Sequence, residues 1–310
     1  MRLRAALSAV TRALQHGGAG AGNAAGEGLA LPRTVAGRVA SMSSGLEVRG
    51  LTVDYAATGW FADRRPRRAL DDVSLALADG ETLGVVGESG SGKSTLARTI
   101  LGLVRQSAGE VLWDGRPVDP RDRLQVRQFR RDVQVVFQDP VGSLDPRLTA
   151  GESVAEALDA LEGVRDRAAA RARVGEALES VGLDPSMAAR YPHQLSGGQC
   201  QRVAIARATI VRPRLLICDE AVSALDVSVQ AQIVNLLIDL RQRHGLALLF
   251  ISHNLAVVRI LCEAIVVLRH GEIVESASRE ALFADARHPY TRALLGAIPA
   301  AVPARRHFDE

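Results

Sequence analysis

One stretch decides the fold of this chain: Gly87-Glu88-Ser89-Gly90-Ser91-Gly92-Lys93-Ser94-Thr95. It fits G-x-x-x-x-G-K-[ST], the pattern of a phosphate-binding P-loop. An apolar run typical of a buried strand precedes it, Thr82 to Val86, and a run typical of a helix follows it, Leu96 to Leu101. The glycines let the backbone wrap around phosphate, and the N-terminus of the helix adds partial positive charge. The stretch therefore predicts a strand–loop–helix unit that binds a nucleotide.

The side chains of the P-loop have distinct expected roles. Lys93 would reach the outer phosphates of the nucleotide, and the Ser94 hydroxyl would bind Mg²⁺. Lys93 is the only lysine, so the other 37 basic residues (38 − 1) are arginine. A compact ammonium on a flexible stem suits phosphate as a point charge. We expect the whole loop to bind the nucleotide: Gly87, Glu88, Ser89, Gly90, Ser91, Gly92, Lys93, Ser94 and Thr95.

The composition is that of a soluble globular protein with one or two domains. The chain has 310 residues, of which 47% are hydrophobic and 24% are charged. It contains no run of about 18 apolar residues, so no transmembrane helix is expected. The net charge is +3, but residues 1–44 carry five arginines and one acid, which leaves −1 for the remainder (3 − 4). A remainder so close to neutral argues against a nucleic-acid-binding face.

Residues 1–44 are predicted to form a flexible tail. They are rich in Ala, Gly and Arg, a composition that cannot pack a core. They contain no apolar segment of the kind found in a secretory signal. Their arginine content is typical of a transit peptide, but an over-long reading frame, with Met42 just before the first strand, is an alternative explanation.

The three cysteines are Cys200, Cys218 and Cys262. Their spacing suits neither a zinc site nor a disulfide framework. We therefore expect small, reduced, semi-buried residues in a cytosolic compartment.

Alternating apolar residues predict two strands before the P-loop. The first runs from Leu46 to Tyr55 with a bulge at Gly50, and the second includes Val73 to Leu77. Between them lies a basic loop that ends in Arg64-Arg65-Pro66-Arg67-Arg68. We expect this loop to be exposed, where it is either solvated or in contact with a partner or with lipid headgroups.

The rest of the chain predicts an α/β core with a helical subdomain inserted into it. An Asp114-Gly115 hairpin and a strand from Asp132 to Phe137 come first, and a helical pattern then covers about residues 149–207. Strands resume afterwards, and one of them turns in a hairpin at His270-Gly271. Residues from about Ser278 onward are predicted to be a helical extension.

Polar side chains that could carry the chemistry follow three predicted strands. Asp219 and Glu220 end one buried strand, and they would face the phosphates in a parallel P-loop sheet. Asp219 would hold Mg²⁺ through its water shell, and Glu220 would orient and polarise the attacking water. Gln138 could bind Mg²⁺ or that water through its amide oxygen, and His253 could donate to the γ-phosphate. We therefore expect Glu220, His253 and Gln138 to be catalytic, and Ser94, Gln138 and Asp219 to hold the metal.

A second anion-binding turn lies within the predicted helical subdomain, at Leu195-Ser196-Gly197-Gly198-Gln199-Cys200-Gln201-Arg202. Ser196 is a natural N-cap, and the two glycines expose backbone N–H groups. The turn belongs to a different subdomain from the P-loop, so we do not expect it to reach its own chain's phosphates. A head-to-tail dimer resolves this, with the nucleotide held between the P-loop of one chain and Ser196, Gly197, Gly198 and Gln199 of the other.

Together these motifs resemble the ATPase cassette of ABC transporters in their order and spacing. The resemblance covers about residues 45 to 298 and includes Ser223-Ala224-Leu225-Asp226. It implies a P-loop NTPase fold with a RecA-like core, an antiparallel β subdomain and an inserted helical subdomain. It also implies that Tyr55 stacks on adenine and that Asp226 helps to couple the two sites of a dimer.

Within that family the chain looks like an ATPase subunit of the oligopeptide/dipeptide importers. The motifs behind this are Phe137-Gln138-Asp139-Pro140, Ser143-Leu144-Asp145-Pro146-Arg147 and, above all, His288-Pro289-Tyr290-Thr291-Arg292-Ala293-Leu294-Leu295. The resemblance implies an ABC ATPase domain over 45–275 and an importer-type extension over 276–310. It implies ATP and Mg²⁺ as cofactors, a second ATPase subunit of the same or a different kind, two transmembrane permeases, and an extracytoplasmic solute-binding protein that acts indirectly. The expected location is the cytoplasmic face of the inner membrane, as a peripheral subunit, without nucleic acid.

The chain departs from the family pattern in two places. Cys200 stands where the family usually has a longer polar or charged residue, so we expect the turn to be kept and a contact to be lost. Some relatives carry clustered cysteines for an iron–sulfur centre in the C-terminal extension, but no cysteine follows Cys262, so no cluster is expected.

Other functions stay open at this stage. A soluble ABC ATPase that acts on DNA or ribosomes usually has a coiled-coil insert or two cassettes in one chain, and neither is present. A P-loop kinase or GTPase would not explain the Ser196 turn, and an exporter would usually carry a fused transmembrane domain. The solute is open among peptides, glutathione and nickel.

Overall fold

The computed structural model describes residues 44–55 and 67–297. The predicted flexible tail lies outside the described residues apart from Ser44, as do the first part of the basic loop and residues 298–310. No helix in the described ranges is both long and apolar enough to cross a membrane.

Four strands form an antiparallel sheet in the order β2-β1-β4-β5. The pairing of β1 with β2 slips between Val48 and Leu51, as the glycine at position 50 predicts. Asp114 and Gly115 form the tight turn between β4 and β5, and both have positive φ, at 52° and 71°. The strands are β1 Leu46–Tyr55, β2 Arg67–Leu77, β4 Ala108–Trp113 and β5 Arg116–Pro117.

A six-stranded sheet carries the P-loop, in the order β10-β9-β3-β8-β7-β6. All its neighbouring strands are parallel except β9 and β10, which form the predicted hairpin. Every residue of β3, β7 and β8 is buried, as expected for parallel strands covered on both faces. The strands are β3 Thr82–Val86, β6 Val133–Val136, β7 Leu215–Asp219, β8 Ala247–Ser252, β9 Ala264–Arg269 and β10 Glu272–Ser278.

Helices alternate with these strands along the chain. Helix α1, Lys93–Ile100, comes before β4 in the sequence, and helix α2, Arg123–Asp132, comes after β5. The remaining helices of the core and the C-terminal part are α6 Val227–His244, α7 Leu255–Leu261, α8 Arg279–Ala284 and α9 Pro289–Gly296.

The segment between β6 and β7 is helical, and we call residues 150–209 the helical segment. It contains α3 Ala150–Glu162, α4 Arg167–Ser180 and α5 Gly197–Thr209, with two short 3₁₀ turns before α5. Thr149 and Glu152 form a reciprocal capping box at the start of α3, and Gly163 ends it with φ 71°. Helix α5 is the centre of the segment, because it packs on α3, α4 and β6.

Helix α2 was not predicted from the sequence. Of its ten residues only Phe129 is buried, so it has too few apolar residues for a clear helical periodicity. It runs to Asp132, where the sequence predicted the start of a strand, and β6 begins one residue later.

The two faces of the large sheet contribute to two separate hydrophobic cores. Leu216, Phe250 and Val267 belong to a core shared with the helical segment. Leu215, Leu249 and Val266, their neighbours along the same strands, belong to a core shared with the antiparallel sheet and α1. The sheet therefore joins both parts of the described chain by the alternation of its side chains.

The three cysteines are free and fully buried, rather than semi-buried as the sequence predicted. Burial raises the pKa of Cys218 to about 12 and raises the pKa of Cys262 as well. Their thiols are therefore kept in the unreactive protonated form.

Gly84 allows helix α7 to pack directly on strand β3. A Cβ atom at this position would lie 2.5 Å from Val258 Cγ1 and 3.2 Å from Cys262 Sγ, and both side chains are fully buried. The exchange Gly84→Ala should therefore lower the free energy of unfolding by about 1–3 kcal/mol through overpacking. Urea denaturation followed by circular dichroism measures this.

The matched control is Gly296→Ala, at the exposed end of α9, where nothing lies within 4 Å of an added Cβ. That exchange should change the free energy by less than about 1 kcal/mol, in the stabilising direction. Equal effects of the two exchanges would contradict the packing argument.

Candidate functional site

The P-loop joins β3 to α1 and adopts a conformation that requires glycine at Gly92. This residue has φ 109°, and a Cβ here would lie 2.6 Å from the carbonyl oxygen of Ala69. Helix α1 begins at Lys93, directly after this left-handed residue. The left-handed Gly92 therefore lets the loop turn directly into α1, whose N-terminus can bind phosphate.

The Lys93 side chain is buried and lies across the P-loop. Its Nζ atom donates hydrogen bonds to the carbonyl oxygens of Gly87 and Glu88, each at 2.8 Å. Desolvation lowers the pKa of this ammonium, while the negative charges of Glu220, Asp219 and Glu88 oppose that change. The lysine is thus fixed within the loop by backbone oxygens and surrounded by acids.

Ser94 and Asp219 join the P-loop to the end of β7. The Ser94 hydroxyl donates to Asp219 Oδ1 at 3.0 Å, although the two residues are 125 positions apart. Asp219 is 4% exposed, and its burial raises the pKa of the carboxyl group. Two of the three predicted metal ligands, Ser94 and Asp219, are therefore direct neighbours.

Glu220 follows β7 in a left-handed conformation, with φ 51°. Its backbone N–H donates to Ile251 O of β8 at 2.9 Å, which fixes the turn. Its carboxylate lies 3.5 Å from His253 Nδ1, and it is the less exposed of the two side chains. Non-glycine residues with positive φ are uncommon and are often found at functional sites.

A cavity of about 470 Å³ opens at this edge of the sheet. Its lining includes Tyr55, Gln138 and Glu220 together with the P-loop residues Ser89, Gly90 and 92–95. The Tyr55 hydroxyl lies 3.4 Å from Thr95 Oγ1, and the residue is 40% exposed, so its ring can be reached by a base. The structure thus brings the P-loop, Gln138, Glu220 and Tyr55 to one cavity. Asp219 and His253 are not part of the lining, but they contact lining residues, Ser94 and Glu220.

Four further residues line this cavity that the sequence did not assign to it. They are Arg67, Arg68 and Ala69 at the start of β2, and His270 in the β9–β10 turn. From the sequence, the two arginines could only be placed in an exposed basic loop. Both are cations that line a cavity phosphates would occupy, and Arg68 is also paired with Asp54 and Asp71, each at 3.0 Å.

The Ser196 turn does not line this cavity. Ser196 Oγ accepts from Gln199 N at 3.2 Å and Gln199 Oε1 accepts from Ser196 N at 2.9 Å, which forms a capping box at the start of α5. Gly197 and Gly198 occupy the first turn of this 13-residue helix. The helix therefore presents a separate, well-capped N-terminus.

Asp226 lies close to the Ser196 turn and also outside the cavity. Its carboxylate accepts from the backbone N–H groups of Ser228 and Val229 at 3.0 Å each, so it caps α6. The hydrogen bond from Val229 is the largest cause of a lowered pKa for this carboxyl group, and bonds from Ser228 add to it.

Gly198 allows α5 to pack closely against α6. A Cβ atom on this residue would lie 2.8 Å from Val229 Cγ1, so only a glycine fits here without a shift of the neighbouring side chain.

Cys200 faces the interior rather than the turn. The side chain is fully buried, and its Sγ atom lies 3.6 Å from the carbonyl oxygen of Pro192. Burial raises the pKa of this thiol. A longer polar residue would have to leave this position or displace the 3₁₀ turn beneath it.

The fold and this cavity define a P-loop ATPase of the cassette type. The ABC transporter family model matches residues 70–223, and the model of the oligopeptide/dipeptide transporter C-terminal region matches residues 274–310. The oligopeptide transport ATP-binding protein OppF of Haemophilus influenzae is 47% identical over 258 residues, which are 82% of this chain and 78% of that protein. The glutathione import ATP-binding protein GsiA of Salmonella choleraesuis is 48% identical over 262 residues, which are 84% of this chain and 42% of that protein.

Solved structures of similar fold are also ATP-binding cassettes. A dimeric ATP-binding cassette in a post-hydrolysis state with ADP and Pi has a TM-score of 0.67 and 33% identity, covering 76% of this chain and 98% of its own. The cbiO1 cassette from Clostridium perfringens has a TM-score of 0.68 and 27% identity, covering 79% of this chain and 92% of its own. The chain belongs to the ABC transporter family, among the ATP-hydrolysing subunits of the oligopeptide/dipeptide transporters.

The position of Lys93 leads to a test of the P-loop. In Lys93→Ala the dissociation constant for ATP should rise roughly 10- to 100-fold, the size expected for lost hydrogen bonds to a charged group. Fluorescence titration with a labelled ATP analogue measures this directly. Arg171→Ala removes an exposed cation from α4 and should bind the analogue as the unaltered chain does. Unchanged binding by the lysine variant would rule out this loop as the phosphate site.

Proposed function

We propose that this chain binds MgATP in the 470 Å³ cavity and hydrolyses it in a head-to-tail dimer of cassettes, and that this work drives import of peptides through two permease subunits. The observation that supports it best is the meeting of Lys93, Asp219 and Glu220 at one edge of the parallel sheet. The ATPase domain covers 45–275, its helical subdomain about 149–207, and the importer-type extension 276–310. As in the sequence-based expectation, the subunit would lie at the cytoplasmic face of the inner membrane.

The donor set at the P-loop suits a magnesium ion. Ser94 Oγ and Asp219 Oδ1 are hard oxygen atoms only 3.0 Å apart, and Gln138 lines the same cavity. A magnesium ion held there would supply positive charge that neutralises the phosphates. Ser94 would bind it directly, Asp219 through water, and Gln138 through its amide oxygen. Asp219 must be ionised for this, so its raised pKa makes metal binding weaker as the pH falls towards that pKa.

Glu220 is placed to act on the attacking water. It lines the cavity, and its side chain is 15% exposed. Its negative charge is close enough to Lys93 to oppose the lowering of the lysine pKa. A carboxylate in this position can accept a hydrogen bond from water and orient it towards the γ-phosphate. His253, with Nδ1 3.5 Å from the Glu220 carboxylate, would donate to the γ-phosphate and keep the carboxylate in place.

A second cassette would complete the site. The first N–H groups of a helix have no partners within the helix, and in α5 the first two belong to Gly197 and Gly198, at a turn outside the cavity. In a head-to-tail dimer, Ser196, Gly197, Gly198 and Gln199 of one subunit would bind the γ-phosphate held by the other. Asp226, adjacent to this turn, would then lie at the seam between the two sites. The related cassette solved with ADP and Pi is itself a dimer.

Peptides are the proposed solute because the C-terminal family model and the relative OppF are both named for oligopeptide transport. One relative is named for glutathione import, and glutathione is itself a short peptide, so it belongs to the same class of proposed solutes. The partners would be two permeases and, indirectly, a solute-binding protein. No observation favours the alternative of an ATPase that acts on nucleic acid.

The catalytic proposal predicts the behaviour of Glu220→Gln. The amide keeps the shape of the side chain but cannot act as a base, so ATP hydrolysis should fall at least about 100-fold, within the range for loss of a general base, while ATP still binds. The variant should then accumulate as a dimer with MgATP. Phosphate release and light scattering after gel filtration measure the two effects. Glu179→Gln, an exposed site on α4, should leave both unchanged. Normal turnover in the Glu220 variant would refute the assignment.

The transport proposal is tested in reconstituted vesicles. The cassette, a sister cassette where one is needed, and two permeases of an oligopeptide importer would be placed in liposomes filled with MgATP, and the binding protein would be added outside them. Addition of a short peptide should raise ATP turnover and load peptide into the vesicles. Stimulation by DNA in place of peptide would favour the nucleic-acid alternative.

A further inference from the structure

The P-loop is hydrogen-bonded to the C-terminal helix α9, far away in the chain. The backbone N–H of Glu88 donates to the hydroxyl oxygen of Tyr290 at 2.9 Å, across 202 positions. Tyr290 is 9% exposed, so solvent does not compete strongly for this bond. The region matched by the oligopeptide/dipeptide transporter C-terminal model therefore touches the candidate nucleotide site directly.

This bond fixes the same peptide unit on which the lysine rests. The peptide between Gly87 and Glu88 has its carbonyl oxygen 2.8 Å from Lys93 Nζ and its N–H group 2.9 Å from Tyr290 Oη. The peptide is thus held at both ends, and it cannot rotate without losing one of the bonds. On the same side, Gly271 N–H donates to Ser91 O at 2.9 Å, so the β9–β10 turn holds a second point of the loop.

Tyr290 is itself held firmly by its surroundings. The Arg269 guanidinium lies 4.9 Å from the centroid of the tyrosine ring, in a cation–π arrangement. His288 Nδ1 accepts from Tyr290 N at 3.1 Å and caps α9, and Pro289 occupies the first helical position. The hydroxyl therefore has little freedom to leave the P-loop.

The buried carboxylate of Glu275 anchors the loop that leads into α9. It is 6% exposed on β10 and accepts from the backbone N–H groups of Arg287 at 2.8 Å and His288 at 3.0 Å. Each residue of the His288-Pro289-Tyr290 motif therefore has a structural role. His288 is the anchored cap of α9, Pro289 begins the helix, and Tyr290 places its hydroxyl at the P-loop.

We infer that Tyr290 is a positioning residue for the nucleotide, acting through the Gly87–Glu88 peptide. By holding this peptide, the hydroxyl keeps the P-loop in the conformation that phosphates bind, so that less ordering is needed on binding. The C-terminal helix thus contributes to nucleotide affinity without touching the nucleotide. This inference rests on the proposed use of the P-loop for ATP.

The exchange Tyr290→Phe tests it, because it removes the hydroxyl and keeps the ring against Arg269. The dissociation constant for a fluorescent ATP analogue and the KM for ATP should both rise about fivefold, which is the size of effect expected when one neutral hydrogen bond is lost. The kcat should change less than about twofold. The unfolding temperature without nucleotide should fall by less than about 2 °C, because the loss of one neutral hydrogen bond is a small change for a folded domain of this size. A purely structural role would lower that temperature and leave KM unchanged.

The matched control is Tyr191→Phe, which removes a hydroxyl from a 39% exposed ring in the helical segment and should leave binding unchanged. Glu88→Pro removes the donor of the same bond, so Tyr290→Phe should have no further effect on KM in that background. An affinity that is unchanged or increased in Tyr290→Phe would overturn the inference. If the unaltered chain fails to bind the analogue, the proposed function fails instead.

Discussion

The site depends on the register of the parallel sheet. Val86 pairs with Ser252, Asp219 with Ile251, and Val136 with Cys218, so four strands end at nearly the same level. The residues that follow these ends are those of the P-loop, Glu220, His253 and the Gln138 segment. Because each residue along a strand advances about 3.3 Å, a two-residue slip of one strand would remove its side chain from the cavity. The positions of the side chains at this site therefore depend on the backbone pairing of these four strands.

One arginine links the antiparallel sheet to this core in addition to the hydrophobic core that they share. Arg214, directly before β7, donates to Asp79 and to Asp114, each at 2.6 Å, and its guanidinium lies 4.8 Å from the centroid of the Trp113 ring. The pairing lowers the pKa of Asp114, chiefly through the hydrogen bond from Arg214. Arginine suits this place because its planar fork can bind two carboxylates and stack on a ring at once. Tyr55, on that sheet, is in this way held at a fixed position relative to the P-loop.

The features that the sequence predicted well are those with a local cause. The P-loop follows from glycines and a lysine at fixed spacing, the Ser196 cap from a serine three residues before a glutamine, and the buried strands from short apolar runs. The cavity residues Arg67 and Arg68 could not be assigned in this way, because nothing local distinguishes an arginine beside a phosphate site from a solvated one. The bond from Glu88 to Tyr290 depends on how β10 and α9 pack against the rest of the protein. Such packing between distant residues leaves no periodic pattern in the sequence. Helix α2 was missed because one buried residue is too few to form a pattern.

Complete burial of the three native thiols makes this chain convenient for spectroscopy. A maleimide reagent reacts with thiolate, and the high pKa values of Cys218 and Cys262 keep that species scarce, while the protein interior excludes the reagent. An engineered cysteine on an exposed helix face would therefore take up a single fluorophore or spin label without removal of the native residues. Distances between two such labels could then follow the approach of one cassette to another during turnover.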